Sequence, residues 1–276
     1  MVPSMCAVTN GDITVVIACF NYGAYLEEAV GSARGQAGGP PHVVVVDDGS
    51  DDPGTLDALD RLPAAVELVR QPNRGVCAAR NAGLARAATP YVLVLDADDR
   101  LAPGALAALR APLDEDAGLG FAYGLMRFFG DWQGVLRFPP YDAYRLLYRH
   151  TIGLSALTRR EAIEDTGGFD PAFEQFEDWE LWVNALAHGW RGRRVDAVTL
   201  EYRRHGATKL AADRAAYRRA FSGLRRKHAA LYGDRSTLAA HSDLGAAGRL
   251  WYRIWWGRRP LPAGLERALH GMRWGA

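Results

Sequence analysis

The alternation of apolar runs with amphipathic segments predicts strands that alternate with helices. Three continuous runs rich in β-branched residues have the length and composition of strands covered on both faces, and a weaker fourth run lies between the second and third. The predicted strands are residues 13–19, 43–46, 66–69 and 91–95, and the predicted helices are residues 25–34, 55–62 and 75–88. Proline or glycine lies at the joins. This order predicts right-handed crossovers in an α/β protein with a mostly parallel sheet.

Polar clusters follow three of these strands directly. Asn21 comes after the first strand, residues 47–50 (DDGS) after the second, and residues 96–99 (DADD) after the strand at 91–95. Because the carboxyl ends of parallel strands lie along one edge of the sheet, ligands bind in the crevice beyond them. We therefore expect the three clusters to converge on one binding site.

The three carboxylates of Asp96, Asp98 and Asp99 have two interpretations. Acidic residues are favoured at a helix N-terminus, and residues 101–105 begin a helical run, but one aspartate would be enough for that purpose. Three carboxylates repel one another, so a bound cation accounts for them better, and hard oxygen ligands select Mg²⁺ or Mn²⁺. A haloacid-type phosphatase fits less well, since Arg100 stands where a small hydroxyl residue would be expected.

Composition sets the limits on size and location. The 276 residues, of which 49% are hydrophobic, suffice for one large domain or one domain with an appendage. No uncharged apolar run reaches about 18 residues, and the N-terminus lacks the pattern of a signal peptide, so the expected location is the cytoplasm. Cys6, Cys19 and Cys77 have no CxxC spacing and cannot all pair, which favours free thiols.

Charge is unevenly distributed although the net charge is only +1. Residues 203–276 hold 16 Lys and Arg against 4 Asp and Glu, whereas residues 1–202 hold 17 against 28. The asymmetry indicates one acidic face that suits a cation and one basic face that suits anions.

The basic C-terminal region interleaves arginines with aromatic residues at 249–259 and again at 265–274. One interpretation is a helix that packs its tryptophans on the rest of the protein. The other is contact with a membrane surface, because arginines are attracted to anionic lipid and tryptophans settle at the headgroup level. This contact would be peripheral, at the inner face of the cell membrane. Nucleic acid is not an expected partner, since no binding motif accompanies the charge.

Six blocks in the chain resemble glycosyltransferase family 2. In order, they are VVIACFNYGAYLEEAV, VVVVDDGSDD, NRGVCAARNAGLARA, YVLVLDADD, GGFDPAFEQFEDWELWVNALAHG and YRRHGAT. A lone DxD would be weak evidence, but this succession is specific and covers residues 12–210. The resemblance implies a GT-A fold, a nucleoside-diphosphate sugar donor, a divalent metal, and transfer of the sugar to an acceptor hydroxyl with inversion.

The resemblance also divides the chain. Residues 1–11 would be an N-terminal tail and residues 12–210 the GT-A domain. Within that domain, residues 12–100 would bind the nucleotide and residues 101–210 the acceptor. Residues 211–276 would form a helical basic extension.

The resemblance further implies roles on the nucleotide side. Asp48 would accept a hydrogen bond from the base, Asp47 would shape the turn or the ribose site, Asp96 would bind the ribose, and Arg80 with Asn81 would face the crevice and order the acidic loops. The implied nucleotide-binding residues are Ala18, Phe20, Asn21, Asp47, Asp48, Arg80, Asp96 and Ala97. The family usually has a proline where Ala18 or Cys19 stands.

On the metal and acceptor sides, the resemblance makes Asp98 and His205 the metal ligands, with Asp99 a neighbour. Asp178 would be the general base, and Glu177 would orient the acceptor or Asp178 itself. The plainer interpretations are an acidic helix N-terminus for residues 177–180 and an ordinary surface histidine at position 205.

The implied donor is a UDP-sugar by preference, and the implied acceptor is a carbohydrate or a lipid-linked sugar in cell-surface polysaccharide or glycoconjugate synthesis. A non-catalytic sugar-nucleotide-binding protein stays an alternative. A nucleotidyltransferase would have a Gly-rich loop with Arg after the first strand, which FNYGAYLEE lacks. A dinucleotide dehydrogenase would need GxGxxG, and residues 118–124 have the wrong spacing.

Overall fold

The computed structural model describes residues 10–173, 176–205 and 214–256. Its strands are β1 Ile13–Cys19, β2 His42–Asp47, β3 Val66–Arg70, β4 Tyr91–Asp96, β5 Arg100–Leu101, β6 Leu119–Gly130, β7 Gly134–Leu136, β8 Leu157–Arg159 and β9 Arg191–Arg204. Its helices are α1 Gly23–Arg34, α2 Pro53–Asp60, α3 Val76–Leu84, α4 Ala105–Glu115, α5 Ala143–Leu146, α6 Arg160–Thr166, α7 Glu177–Ala187, α8 Arg214–Lys227, α9 Ala229–Gly233, α10 Arg235–Ala240 and α11 Ala246–Trp251. Tyr252–Trp256 continue α11 as a π-helical turn.

The strands of the described residues form one sheet in the order β3-β2-β1-β4-β8-β6-β9-β5, with β7 paired to β6. Strands β1 to β4 pair in parallel, and β6 and β9 also run parallel to each other. Strand β8 is antiparallel to both β4 and β6, and so joins the two parallel groups. The predicted α/β class with a mostly parallel sheet is confirmed, and the antiparallel strands all lie after residue 99.

The predicted elements of the first 100 residues are present with small differences at their ends. The largest difference is in α3, which ends at Leu84 rather than at residue 88 because the amides of Arg86 and Ala87 bond in tight turns to the carbonyls of Gly83 and Leu84. Gly83 brings α3 close to the sheet, since a Cβ atom there would lie 2.2 Å from Cγ1 of Val16. Helix α3 therefore lies tightly over β1, which fixes where its side chains point.

Two hydrophobic clusters flank the sheet. One packs α1 and α4 on β1, β2 and β4, and the other gathers aromatic residues around Trp179 of α7. Side chains from the C-terminal helices are buried in the second cluster, namely Phe221, Leu224, Tyr232 and Tyr252. The described part of the predicted basic extension is thus helical and packs on the same core as α7.

Some expectations fall outside the described residues. They concern residues 1–9 with Cys6, residues 206–213 with the end of YRRHGAT, and residues 257–276 with the second aromatic stretch. Cys19 and Cys77 are buried thiols that form no disulfide, as expected. Within the described ranges, no helix combines the length and the apolar character needed to cross a bilayer.

Candidate functional site

The turn after β2 is held by neutral hydrogen-bond donors. Asp47 accepts from the amide of Ser50 at 2.9 Å, which closes the turn. Asp48 is 4% exposed, and its Oδ1 accepts from Nε2 of Gln71 at 2.7 Å and from the amide of Arg74 at 2.9 Å. Its Oδ2 accepts from the amide of Gly75 at 2.9 Å, directly before α3. Asp48 therefore fixes the loop that leads into α3, and its contact with a base stays a prediction.

The end of β1 is tied to the same turn. Asn21 has a φ of 57°, a left-handed conformation that asparagine tolerates better than most residues. In this conformation its Oδ1 accepts from the amides of Asp51 and Asp52, each at 3.0 Å. Ala18 lies in β1, and Phe20 is 42% exposed beyond the strand end. Residues 18–21 thus border the turn of Asp47 and Asp48, and their nucleotide contacts stay predictions.

The acidic segment after β4 is not a helix N-terminus. Helix α4 begins at Ala105, and its N-cap is Gly104, so the three aspartates lie outside its first turn and the helix interpretation is wrong. Asp99 is buried and accepts from the amide of Arg203 in β9 at 2.8 Å. Burial, followed by the charges of Asp96 and Asp98, raises the pKa of Asp99 well above its usual value. This hydrogen bond attaches β9 to the segment that carries Asp96, Ala97 and Asp98. Ala97 is itself buried.

Asp98 and His205 lie side by side at this strand end. Nε2 of His205 is 2.9 Å from Oδ2 of Asp98, and the rings of Tyr22 and Tyr25 lie 5.9 and 4.9 Å from the histidine ring. The pair offers one carboxylate oxygen and one imidazole nitrogen to a cation. Within residues 10–173, 176–205 and 214–256, no group of three or more His, Cys, Asp and Glu forms a ready-made metal site.

Arg80 of α3 connects β4 to α7. Its Nη2 donates to Oδ1 of Asp96 at 2.8 Å and its Nη1 donates to Oε1 of Glu177 at 2.6 Å. The residue is only 5% exposed. Burial alone would lower the pKa of Arg80, but the two carboxylates outweigh burial and raise it, so the guanidinium stays charged. This position agrees with a role in ordering the acidic loops, whereas direct contact with a diphosphate stays a prediction.

Asn81, the neighbour of Arg80, holds the loop before α7. Its Nδ2 donates to the carbonyl of Phe169 and its Oδ1 accepts from the amide of the same residue, both at 2.8 Å. Adjacent residues of α3 therefore fix two parts of the second half of the chain. Arg80 anchors the first residue of α7, and Asn81 anchors the Gly-Gly-Phe segment that precedes it.

Helix α7 begins at Glu177, so the acidic N-terminus predicted from the sequence is present. Asp178 accepts from the amide of Trp179 through Oδ1 at 2.8 Å, and its Oδ2 lies 3.0 Å from Nε2 of His150. Burial would raise the pKa of Asp178, but His150, then Arg80 and the Trp179 amide, lower it. Burial and the neighbouring Asp178 raise the pKa of Glu177 against the effect of Arg80. The two adjacent carboxylates thus differ in their tendency to bind a proton.

Sequence reasoning missed His150, and it did not identify the partners of Glu180, which it had placed in the acidic start of α7. His150 lies between α5 and β8, outside all six blocks, and a lone histidine there gave no signal. Glu180 is fully buried, with its Oε1 2.8 Å from Nε2 of His228 and 2.9 Å from Nζ of Lys227. Glu180 therefore attaches the C-terminal helices to α7 and is closed off from an acceptor.

Comparisons with known proteins agree with this architecture. The sequence model described as Glycosyl transferase family 2 matches residues 14–167. The succinoglycan biosynthesis proteins ExoO and ExoU of Rhizobium meliloti (strain 1021) are 30% and 31% identical over 207 and 211 residues, which cover 65% and 68% of this chain. The alignments span 57% and 60% of those proteins, less than two thirds of their length. The uncharacterized glycosyltransferase Mb0553 of Mycobacterium bovis is 32% identical over 207 residues, 72% of this chain and 89% of Mb0553.

Solved structures resemble the fold. Residues 1–349 of S. aureus TarS superpose with a TM-score of 0.65 at 19% identity, covering 93% of this chain and 76% of that one. The same protein in complex with UDP-GlcNAc gives a TM-score of 0.63, covering 87% and 70%. At this identity the likeness concerns the fold, which is the expected GT-A fold. Because the family model matches more than half of the sequence, the chain belongs to the Glycosyl transferase family 2, a family of glycosyltransferases.

Proposed function

We propose that this protein is an inverting glycosyltransferase that moves a sugar from a nucleoside-diphosphate sugar to an acceptor hydroxyl. The observation that carries the proposal is the connected cluster in which Arg80 joins Asp96, at the end of β4, to Glu177 at the start of α7. Asp178, the candidate base, follows Glu177 directly. One buried arginine therefore couples the end of the sheet to the helix that bears the base.

In the proposed reaction, Asp178 takes the proton of the acceptor hydroxyl as that oxygen attacks the anomeric carbon. The new bond forms on the face opposite the departing nucleoside diphosphate, so a single displacement inverts the anomeric centre. No second nucleophilic carboxylate is required. The lowered pKa of Asp178 keeps it ionised, and therefore able to accept a proton, at neutral pH.

Asp98 and His205 are the residues that would hold a divalent cation, Mn²⁺ or Mg²⁺. Their oxygen and nitrogen donors suit an ion that takes its remaining ligands from substrate phosphates and water. When bound, the ion would supply positive charge against the charge that develops on the departing diphosphate.

A UDP-sugar is the proposed donor, because structures of S. aureus TarS contain UDP-GlcNAc and UDP. The nucleobase and the ribose of the donor would lie at the ends of β1 and β2, near residues 18–21 and 47–48. They would also lie beside Asp96 and Ala97. The proposed acceptor is a carbohydrate or a lipid-linked sugar of a cell-surface polysaccharide, since two relatives are named for succinoglycan biosynthesis.

Two substitutions separate binding from transfer. Asp178→Asn should keep Mn²⁺-dependent UDP affinity and lose sugar transfer by a factor on the order of 10²–10⁴, because the base is removed while the nucleotide side is intact. Asp98→Asn, by contrast, should weaken Mn²⁺-dependent UDP binding, because it changes a proposed ligand of the cation. Mn²⁺-dependent UDP affinity is measured by calorimetry, after a thermal-shift screen of nucleoside diphosphates and their sugars. Sugar transfer is measured as release of UDP in the presence of acceptor.

The pattern of the two variants decides between the proposal and its alternatives. Near wild-type turnover in Asp178→Asn would remove Asp178 from the role of base. UDP-sugar binding by the wild type without turnover, across a panel of saccharide and lipid-linked acceptors, would favour a non-catalytic binding protein. Unchanged Mn²⁺-dependent affinity in Asp98→Asn would remove Asp98 from the metal site.

We also propose that the C-terminal helices contact an anionic membrane, which would place the enzyme in the cytoplasm at the inner face of the cell membrane. In the described part of the tail, Leu250, Trp251 and Ile254 are 55%, 40% and 45% exposed, and Arg249 and Arg253 lie among them. Tyr252 from the same segment is buried in the core, which fixes the exposed residues on the outer side. Apolar and aromatic side chains beside arginines suit the headgroup region of anionic lipid.

Co-sedimentation with anionic and neutral vesicles at low and high salt tests this contact. The double substitution Leu250→Glu and Ile254→Glu should weaken binding to anionic vesicles about tenfold or more, because apolar area is lost and like charge is added. Val135→Glu with Leu136→Glu is a matched control, since these residues of β7 are 47% and 38% exposed. Equal loss in both doubles, or no binding by the wild type, would contradict the proposal.

A further inference from the structure

His150 makes a close contact with the candidate base from a different part of the chain. Nε2 of His150 lies 3.0 Å from Oδ2 of Asp178, and the two side chains are 30% and 16% exposed. At this distance the two groups form an ion pair when the imidazole is protonated. The residue adds a second cation-forming group to the cluster that Arg80 begins.

The packing around His150 holds the imidazole in place. Its ring stacks on the indole of Trp179, with the planes 21° apart and the centroids at 6.4 Å. That indole is fully buried and donates through Nε1 to the carbonyl of Leu146 at 2.7 Å, so α7 is tied to the end of α5, just before His150. The orientation of the imidazole toward Asp178 is therefore set by the core and not by a flexible surface contact.

The carboxyl groups of this cluster outnumber its permanent cations. Asp96, Glu177 and Asp178 are three carboxyl groups, and the single guanidinium of Arg80 acts on all of them. Burial would lower the pKa of His150, but Asp178, the backbone of Ile152 and Glu177 outweigh burial and raise it. Asp178 and Glu177 of α7 face His150, and Arg80 of α3 acts on Asp178 from another direction. An imidazolium at position 150 reduces the net negative charge of the cluster.

We propose that His150 is a positioning residue for Asp178, whose imidazolium keeps the base ionised and its Oδ2 in a fixed place and so sets the acidic limit of glycosyl transfer. The proposal rests on the proposed role of Asp178 as base. His150 lies outside the six family blocks, and its role would be to keep Asp178 ionised at the pH at which the enzyme works.

The sign of the effect follows from linkage. A carboxylate beside a cation has a lowered pKa, so it stays ionised to lower pH, and removal of the cation moves its protonation to higher pH. His150→Gln should therefore move the acidic limb of kcat/KM to higher pH. Below the variant's limit, its activity should fall about tenfold per pH unit while the wild type still works. At alkaline pH the two profiles should converge, because Asp178 is ionised in both.

The activity measurement is UDP release from UDP-glucose and UDP-GlcNAc between acid and alkaline pH. His150→Lys restores a cation and should return the limb toward the wild-type position, whereas His150→Gln should not. His42→Gln is the matched control, since it removes a histidine–carboxylate pair, His42 with Glu67 at 3.3 Å, far along the sheet at β2. Because folding stability itself depends on pH, circular dichroism of each variant over the same pH range shows where it is folded, and the acidic limbs are compared only there.

A second measurement needs no turnover. Histidine ring NMR of the full chain, with His150→Gln used to identify the signal, should give His150 a titration above that of an ordinary histidine, and Asp178→Asn should lower it. Failure of the proposed function alone would appear as an Asp178→Asn variant that still transfers sugar, although the His150 titration is raised in the wild type and lowered in that variant. The His150 proposal is overturned if Asp178→Asn leaves the ring titration unchanged, or if His150→Gln keeps the wild-type acidic limb.

Discussion

The acidic pair after β2 and the acidic pair at the start of α7 both border the candidate site, and different kinds of partner hold them. Asp47 and Asp48, after β2, accept hydrogen bonds from backbone amides and one glutamine side chain. Glu177 and Asp178, at the start of α7, face the side chains of Arg80 and His150. The sequences look alike, DD and ED, but the first pair accepts hydrogen bonds from neutral donors, whereas the second also contacts two cation-forming side chains.

The difference shows how one residue type can serve a scaffold in one place and chemistry in another. A carboxylate whose oxygens are occupied by backbone N–H groups shapes a loop, and here Asp48 shapes the loop that begins α3. A carboxylate held by a charged side chain has its protonation coupled to that charge. Asp48 thus fixes the loop that leads into α3, the helix that carries Arg80. Arg80 in turn contacts Glu177 at the start of α7.

Removal of Arg80 should have the largest effect on stability, because it breaks the cation-held pair. Arg80→Met leaves Asp96 and Glu177 without the buried guanidinium that contacts both. Loss of one partner of a buried ion pair costs about 3–5 kcal/mol in the free energy of unfolding. Urea unfolding at neutral pH measures the loss, with Arg86→Met as the control, because Arg86 makes an exposed pair with Glu67.

The stability lost in Arg80→Met should be smaller at acid pH than at neutral pH. Glu177, whose pKa is raised by burial and by Asp178, becomes protonated as the pH falls, so less uncompensated charge remains in Arg80→Met and the difference from wild type should narrow. Asp178 contributes in the usual direction for a lowered carboxyl pKa. Its stabilisation is present above its unfolded pKa and is lost as the pH falls through the folded one. A difference that stays constant from neutral to acid pH would mean that Arg80 acts by packing alone.

The first half of the fold was predictable because its strands are continuous apolar runs. β1, β2 and β4 read as buried strands without knowledge of their neighbours, and helical spacing separated them. The second half was not, since β9 contains many arginines (RGRRVDAVTLEYRR) and β6 is interrupted by glycines. Those strands are specified by pairing with each other across the sequence, with shifts of register at three places, which local pattern does not encode.

The candidate site was predictable where acids cluster next to an element boundary. Asp96, Asp98 and Asp178 could be marked from their positions alone or from the family blocks. Their partners depend on contacts between distant segments, as with His150 and Asp178, or Glu180 and His228. The sequence thus marked the carboxylates, and the structure added the second cation and showed that Glu180 holds the C-terminal helices.

A smaller loss of stability is expected when Asp48, which accepts mainly from backbone amides, is changed. Asp48→Asn replaces one acceptor oxygen by an NH₂ group, and the groups that Asp48 contacts, on Gln71, Arg74 and Gly75, are donors. Whichever way the amide turns, at least one donor loses its acceptor, which costs about 1–3 kcal/mol in the free energy of unfolding. Asp47→Asn is the matched control, because the amide of Ser50 that it bonds can still reach the remaining oxygen.

The measurement is denaturant unfolding of both variants beside Arg80→Met, with UDP binding as a second reading. Asp48→Asn should be less stable than Asp47→Asn, because more of its acceptor positions are used. Gly49 sharpens the test, because it has a φ of 75° and a Cβ atom there would lie 2.6 Å from the amide nitrogen of Asn73, so the turn has little room to adjust. Equal losses in the two variants would show that the turn tolerates the change and that Asp48 is not the residue that fixes the loop before α3.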